Sequence, residues 1–573
     1  MKKMRINLFM SVALAGLLAS CAGLDKMKKA AENVKYTVTP QVLEAHAGKV
    51  DVAVKVQIPE KYFDKKVVLE ATPVLVYEGG ETAFAPVRLQ GESIKGNDQT
   101  ISYTNGGTVN YTGSVPYNPN MRVSDLVVRI KGTKGSTTAD FDPVKIADGV
   151  IATSTLVADN GAYVANGADL FQRSVPEQQL ADIFFLIQQA QVRDSELKKT
   201  EVKNLKDYVV AANADPKKQL KGIEVSSYAS PDGALDLNTK LSGDREKATK
   251  GYLDKEFKKA KVSTEAEGFY SLKTTPEDWD GFKKLMEAST IQDKDLILRV
   301  LNMYSDPEVR EKEIKNMSAT FKVIAEEILP KLRRSKLTVN SELVGKTDDE
   351  LKAALASNPQ SLSLEELLFV ATLTNSADDQ LKAYNAAVAK YPSDWRAQNN
   401  IGIVLFNKGD LAGAKAAFEK AATIKSNVPE VQNNLGVIAL NNGDLAKAEQ
   451  YFGAAAGAGA GLDNNLGIVA IHKGDYEAAV RYFGNSTSNN AALAKILAGK
   501  YDSALSTLNA NTLEVGLKYY LKAIVGARTA QTDLTLESLR QAVALDAKYK
   551  DYAKKDLEFG KLFENATFKS IVQ

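Results

Sequence analysis

Hydrophobic and polar positions change their period twice along this chain. Val50-Asp51-Val52-Ala53-Val54-Lys55-Val56 alternates with period two, Leu126-Val127-Val128-Arg129-Ile130 does the same, and Val67 to Val76 follows less cleanly. Turn formers separate these runs: Tyr77-Glu78-Gly79-Gly80, Lys95-Gly96-Asn97-Asp98 and Asn105-Gly106-Gly107. Short alternating runs with such punctuation predict strands, and residues 35–150 read as an antiparallel β-sandwich. From about residue 176 strand and helix patterns alternate. Ile183 to Ile187 is an apolar run of strand length, and residues 194–212 carry Leu197, Val202, Leu205, Tyr208 and Val209 at helical spacing. Ile223 to Tyr228 is a second strand, closed by the turn Ala229-Ser230-Pro231-Asp232-Gly233, and a second helix runs from about Ala234 to Phe257. That order predicts an α/β domain with a mixed sheet and helices packed on it.

The last part of the chain repeats. Asn400-Ile401-Gly402 leads to Lys408-Gly409-Asp410-Leu411-Ala412, then Ala414, Phe418 and Ala421. Asn434-Leu435-Gly436 restarts the pattern 34 residues on, with Gly443-Asp444, Ala448, Phe452 and Ala455. This is the tetratricopeptide period. Asn465-Leu466-Gly467, with Gly474-Asp475, Ala479 and Phe483, is a third copy 31 residues further, shortened by a Gly/Ala-rich turn. Ala498-Gly499-Lys500-Tyr501 with Ala504 and Leu508 is a degraded fourth. The small residues let paired helices approach closely, and Gly-Asp makes the turn between them. One pair cannot bury its apolar face alone, so the copies must stack into an all-α solenoid.

The front of the chain changes where the molecule is expected to work. Met1-Lys2-Lys3 and Arg5 are cationic, Ile6 to Leu18 is apolar, and Leu18-Ala19-Ser20-Cys21 reads as a lipobox. Residues 1–20 are therefore predicted as a removed lipoprotein signal peptide and Cys21 as the lipid attachment site. Two or more acyl chains make a stable anchor. Residues 21–34 read as a tether, 35–150 as the sandwich and 151–175 as a linker. The α/β domain spans 176–340 with an insertion at 270–325, and the solenoid spans 341–573. Cys21 is the only cysteine in 573 residues, so stability must come from buried cores and not from disulfides. Lys plus Arg (73) nearly balance Asp plus Glu (71), which gives no reason to expect nucleic acid as a partner.

Within the α/β segment the residues Val225 to Gly233, Asn238, Leu241-Ser242, Arg245 and Tyr252-Leu253 resemble the OmpA C-terminal, peptidoglycan-associating domain. Arg333-Arg334 before Ser335 to Val339 is similar to that family's closing pair, and Glu277 to Phe282 with Leu329-Pro330 flanks an insertion of Bacteroidetes type. The resemblance implies a clamp on the zwitterionic diaminopimelate of peptidoglycan. A carboxylate takes the ammonium and the planar guanidinium grips a carboxylate bidentately. It carries over to Arg245, with Asn238 and Arg334 beside it. Ser230 stands at the family's Asp position, and Asp232 either substitutes for it or is only a turn former. Arg245 is either the clamp or a helix arginine paired with Asp244 or Glu246.

No catalytic constellation emerges. The two histidines, His46 and His472, support neither a zinc cluster nor a triad. Asp278 and Asp280 beside Trp279 read as a helix N-cap with a core Trp. No catalytic residue, metal or cofactor is expected. The asparagine pairs Asn399-Asn400, Asn433-Asn434 and Asn464-Asn465 either grip a partner's peptide backbone or are polar turns within the repeats. Together these features predict a non-enzymatic outer-membrane lipoprotein, on the periplasmic face. It would contact peptidoglycan through one domain and hold envelope proteins with its solenoid. The alternative is an assembly or secretion-complex subunit whose OmpA-like domain docks protein and no longer binds peptidoglycan.

Overall fold

The computed structural model describes residues 23–573, so the signal segment and Cys21 lie outside the described residues. Two compact units form. One joins the chain up to Ala168 with Ser376–Gln573, and the other is Asp169–Asn375.

Eleven strands open the first unit: β1 (Lys35–Thr39), β2 (Val42–His46), β3 (Lys49–Ile58), β4 (Val68–Tyr77), β5 (Gly80–Ala83), β6 (Val87–Gly91), β7 (Gln99–Ile101), β8 (Gly107–Pro116), β9 (Ser124–Lys134), β10 (Thr137–Asp140) and β11 (Val144–Ile151). In β3 the alternation works as predicted, with Val50, Val52 and Val54 buried and Asp51 and Lys55 in solvent. The region is β-rich, but its architecture departs from an antiparallel sandwich. The strands make one continuous sheet, in the order β1-β3-β2-β11-β9-β4-β6-β7, that curls as a half-barrel. The seam explains the departure: β11 pairs antiparallel with β9 on one side and parallel with β2 on the other. Across the curl Leu43, Val50, Val52, Leu75 and Leu126 share one core. Residues 23–29, expected as part of a tether, are helical. Leu24 and Met27, three apart on one helix face, are buried with Phe63, Leu69 and Phe141, so this segment is part of the fold.

The solenoid in the same unit stacks antiparallel helix pairs, among them Trp395–Asn407 with Leu411–Ile424, Pro429–Asn441 with Leu445–Gly453, and Gly461–His472 with Tyr476–Phe483. Gly409, Gly443 and Gly474 turn the chain at positive φ (82°, 74° and 77°), where a side chain would be strained. The next residue caps the following helix: Asp410, Asp444 and Asp475 accept from the backbone N–H of Gly413, Lys447 and Ala478 at 2.8, 3.1 and 2.9 Å. The repeated glycines allow close packing. A Cβ on Gly402 or Gly436 would lie 2.5 Å from the ring of Phe418 or Phe452.

The second unit carries a four-stranded mixed sheet of β12 (Ser174–Phe184), β13 (Lys218–Tyr228), β14 (Tyr270–Thr275) and β15 (Arg334–Val344), in the order β12-β15-β13-β14. β15 is antiparallel to both neighbours and β13 is parallel to β14. Helices Thr200–Ala214 and Leu235–Lys259 cover it, burying Val202, Leu205, Val209, Leu253 and Phe257. The first strand starts earlier than its apolar run suggests, and it ends at Phe184, leaving Leu186 and Ile187 exposed. The insertion also starts later than residue 270, because Tyr270–Thr275 completes the sheet. As an edge strand it is mostly exposed and lacks the alternation that marks a buried one. Beyond it four helices between Trp279 and Glu327 close over their own core of Phe282, Met286, Ile297, Ile324 and Leu332.

Candidate functional site

The solenoid's asparagines meet a backbone, and that backbone is the chain's own. After β11 the chain makes a short turn, Thr153–Leu156, and residues 158–168 then cross the repeats, with only one short turn, Asp159–Gly161, among them. Each amide can donate and accept at once, so one Asn can satisfy both the N–H and the C=O of one extended residue. That is the arrangement here. Asn400 accepts from Gly167 N (2.9 Å) and donates to Gly167 O (2.9 Å). Asn434 does the same for Ala165 (2.6 and 2.8 Å), Asn465 for Tyr163 (2.7 and 2.8 Å) and Asn490 for Ala158 (2.9 and 3.0 Å).

The preceding member of each pair braces this ladder. Asn399 donates to Ala165 O (3.1 Å), Asn433 to Tyr163 O (2.9 Å) and Asn464 to Gly161 O (3.0 Å). Neighbouring repeats also bond to each other, Asn434 to Asn399 Oδ1 and Asn465 to Asn433 Oδ1, both at 2.9 Å. Asn399, Asn400, Asn433, Asn434 and Asn465 are all buried, and each has its partners. From Asn400 to Asn465 each repeat advances the bound segment by two residues, about 6.6 Å of extended chain; the turn Asp159–Gly161 lengthens the last step, to Ala158 on Asn490, to five residues. The segment runs antiparallel to the order of the repeats, from Ala158 on Asn490 to Gly167 on Asn400.

Side chains of the segment, called the strap from here on, also pack on the solenoid: Ala162 is buried in its hydrophobic core and Val164 lies against it. The Tyr163 ring lies against Gly461, where a Cβ would overlap it, so this position of the Gly/Ala-rich turn must stay glycine. A Cβ on Gly167 would come within 2.9 Å of Arg396, whose Nη1 donates to Ala168 O at 3.1 Å. At the other end His472 Nε2 meets Asp159 at 2.6 Å. The half-barrel is fixed to the solenoid independently of the strap's ladder: His46 Nδ1 to the Tyr476 hydroxyl at 2.7 Å, Arg528 to Glu44 at 3.3 Å, and the Arg122 guanidinium 3.4 Å above the Tyr552 ring. Sequence reasoning missed the strap and Asn490. The Asn-Leu-Gly signature is absent around Asn490, and residues 158–168 have no hydrophobic period.

In the second unit Ser230, Asp232 and Arg245 cluster, with Asn238 beneath them. Asn238 donates to Ser230 O (3.2 Å) and Gly233 O (2.9 Å), closing the turn. Ser230 Oγ donates to Asp232, and Arg333 reaches both, its Nε 3.2 Å from Ser230 Oγ and its Nη2 3.1 Å from Asp232 Oδ2. Arg245 pairs with neither Asp244 nor Glu246 in solvent. It is fully buried, 0% exposed, and donates to the backbone oxygens of Gln189, Tyr228 and Leu186 at 3.0, 2.8 and 3.2 Å. Burial, then the like charge of Arg333, pulls its pKa down to about 10 against the opposing effect of Asp232. Arg334 lies apart from this cluster. Its Nη1 holds Asp278 at 3.0 Å and its guanidinium sits 4.5 Å from the Tyr228 ring. Arg333, the preceding residue, is the one that joins the turn, and consecutive side chains at the start of a strand diverge. Asp278 caps the helix at Trp279, accepting from Gly281 N at 2.8 Å.

The tetratricopeptide-repeat family matches residues 378–429 and 421–463. No curated protein matches the sequence. Among solved structures, a tetratricopeptide repeat protein from Parabacteroides merdae is 14% identical, with a TM-score of 0.29 over 37% of this chain and 91% of its own. PilF of Pseudomonas aeruginosa is 17% identical, with a TM-score of 0.29 over 37% of this chain and 100% of its own. YrrB, a tetratricopeptide protein with an unusual peptide-binding site, is 21% identical, with a TM-score of 0.25 over 30% of this chain and 99% of its own. The C-terminal region is thus built of tetratricopeptide repeats, which suggest a scaffold for protein–protein interaction.

Proposed function

We propose that this protein is a non-enzymatic scaffold of the bacterial envelope, anchored in the outer membrane by lipid on Cys21, whose solenoid and α/β unit hold other proteins. The observation that carries the reading is the asparagine ladder, a device that recognises polypeptide backbone as such. The lipobox supports the anchor. Among the described residues no helix is long and apolar enough to cross a membrane, and no group of three or more His, Cys, Asp or Glu is placed to hold a metal ion. The reading is tested by cross-linking in the native cells and recovering the chain from membranes. It expects specific envelope proteins to co-purify, and radioactive palmitate to label the parent but not Cys21→Ser. Recovery of the chain alone, unlabelled, overturns it.

Peptidoglycan contact through the OmpA-like domain is the second reading. One observation favours it: Asp232 pairs with Arg333, while the nearby Arg245 donates only to backbone oxygens and has no carboxylate partner among the described residues, which leaves a positive charge for a stem-peptide carboxylate. Against it, the Arg245 guanidinium is sealed and already donates to three backbone oxygens. Sedimentation with purified peptidoglycan decides. Retention that Asp232→Asn abolishes supports wall contact, and no retention of the parent leaves the docking role.

A further inference from the structure

We propose that the asparagine groove is an exchangeable peptide site. The strap is its resident occupant, and an extended segment of a partner protein takes its place, with an aromatic residue, then a small residue two positions on, then glycine two positions further. This deepens the scaffold reading and rests on it.

Four observations carry the exchange. Every rung contacts main-chain atoms, which any extended peptide supplies, so the strap's own sequence matters only where its side chains pack, at Ala162, Tyr163, Val164, Ala165 and Gly167. Tyr163 as a residue remains 54% exposed on its Gly461 seat, so even this anchor is only half covered. The floor is braced by its own amide bonds, Asn434 to Asn399 and Asn465 to Asn433, which survive removal of the strap and keep the groove preorganised. Finally, the half-barrel does not depend on the ladder for its seat. Arg122, His46 and Glu44 hold it to the solenoid, so the strap can leave without parting the two.

The amides of Val164 and Asn166, between the rungs, have no protein partner among the described residues. The strap therefore belongs to no second strand, and its departure breaks no sheet. Being tethered, it competes at an effective concentration on the order of millimolar. A free peptide should then bind the parent weakly and a strap-weakened chain well.

The test uses the full mature chain and a fluorescein-labelled synthetic peptide of sequence 157–169 as the probe, followed by anisotropy. Ala165→Glu places a carboxylate at a buried rung and Gly167→Val drives a side chain into Arg396, so each weakens the strap while leaving every asparagine in place. Both variants should bind the probe at least about ten-fold more tightly than the parent, and adding Asn400→Ala with Asn434→Ala should abolish the gain. A folded, monomeric variant that binds no better than the parent overturns the proposal, as does doubling of its mass, which would mean that a second copy supplies the occupant. Should both variants fail to fold, hydrogen exchange in the parent decides. Strap amides that exchange independently of urea, ahead of core amides such as Val437, support exchange; strap and core amides opening together overturn it. Partners that still cross-link to a chain failing these tests would leave the scaffold reading standing and remove only the groove as their site.

Discussion

Asn434→Ala removes one of the two most connected rungs of the ladder, the other being Asn465. The side chain is fully buried and exchanges two hydrogen bonds with Ala165, donates to Asn399 and accepts from Asn433 at 3.1 Å. Each such bond contributes about 1 kcal/mol net, and a buried donor or acceptor left without a partner costs about 1–3 kcal/mol. Alanine orphans groups on Ala165, Asn399 and Asn433, all nearly inaccessible to solvent. Water entering the vacated volume recovers part of the loss. The balance is a destabilisation of about 3–5 kcal/mol. Asn441→Ala is the matched control, since Asn441 only donates to Val437 O within its own helix and should cost about 0.5 kcal/mol or less. Trp279 and Trp395 lie one in each unit, so urea unfolding of a Trp279→Phe background, followed by fluorescence, reports on the unit that contains the ladder. Equal midpoints for Asn434→Ala and Asn441→Ala would refute the idea that the ladder carries this energy.

Three further outcomes are expected. Arg245→Ala should destabilise the second unit by about 3–5 kcal/mol, because it opens a cavity and strips the donors from three backbone oxygens. Unfolding midpoints read this, and an unchanged midpoint would mean that the arginine is not a structural clamp. Gly436→Ala should destabilise the solenoid even though alanine favours helix by about 1 kcal/mol, because overpacking against Phe452 costs about 1–3 kcal/mol. Gly243→Ala, mid-helix with nothing within 4 Å of the added methyl, should instead stabilise its unit in the same assay. Asp182 has a buried oxygen without a partner, and burial raises its pKa against the pull of Arg334 and Lys336. A carboxyl raised on folding favours the folded state only while protonated, and that help is lost as pH rises through its folded pKa. Asp182→Asn should therefore raise stability near neutral pH, with the gain shrinking in acid.

What could be read from the sequence was set by local period. The recurrence of Asn-Ile/Leu-Gly and Gly-Asp at 34 and then 31 residues marked the repeats, and the alternation from Val50 to Val56 marked a strand. The asparagine pairs were legible as backbone readers, yet their occupant was not. Tyr163, Ala165 and Gly167 are ordered by residues more than 230 positions away, and no local preference records such a partner. The half-barrel escaped for a related reason, because one short strand, β2, makes the sheet continuous by pairing parallel with a strand about 100 residues later. Leu24 and Met27 looked like tether because a single turn of helix carries too little pattern. Arg245 read as a clamp because nothing local shows that its guanidinium is buried on the carbonyls of Leu186, Gln189 and Tyr228.

Residue-resolved hydrogen exchange across 158–168 tests the ladder most directly. The expected trace alternates: the amides of Tyr163, Ala165 and Gly167, each held by an asparagine, exchange slowly, while those of Val164 and Asn166 exchange fast. Uniformly fast exchange through the whole segment would contradict the capture of the strap by the solenoid.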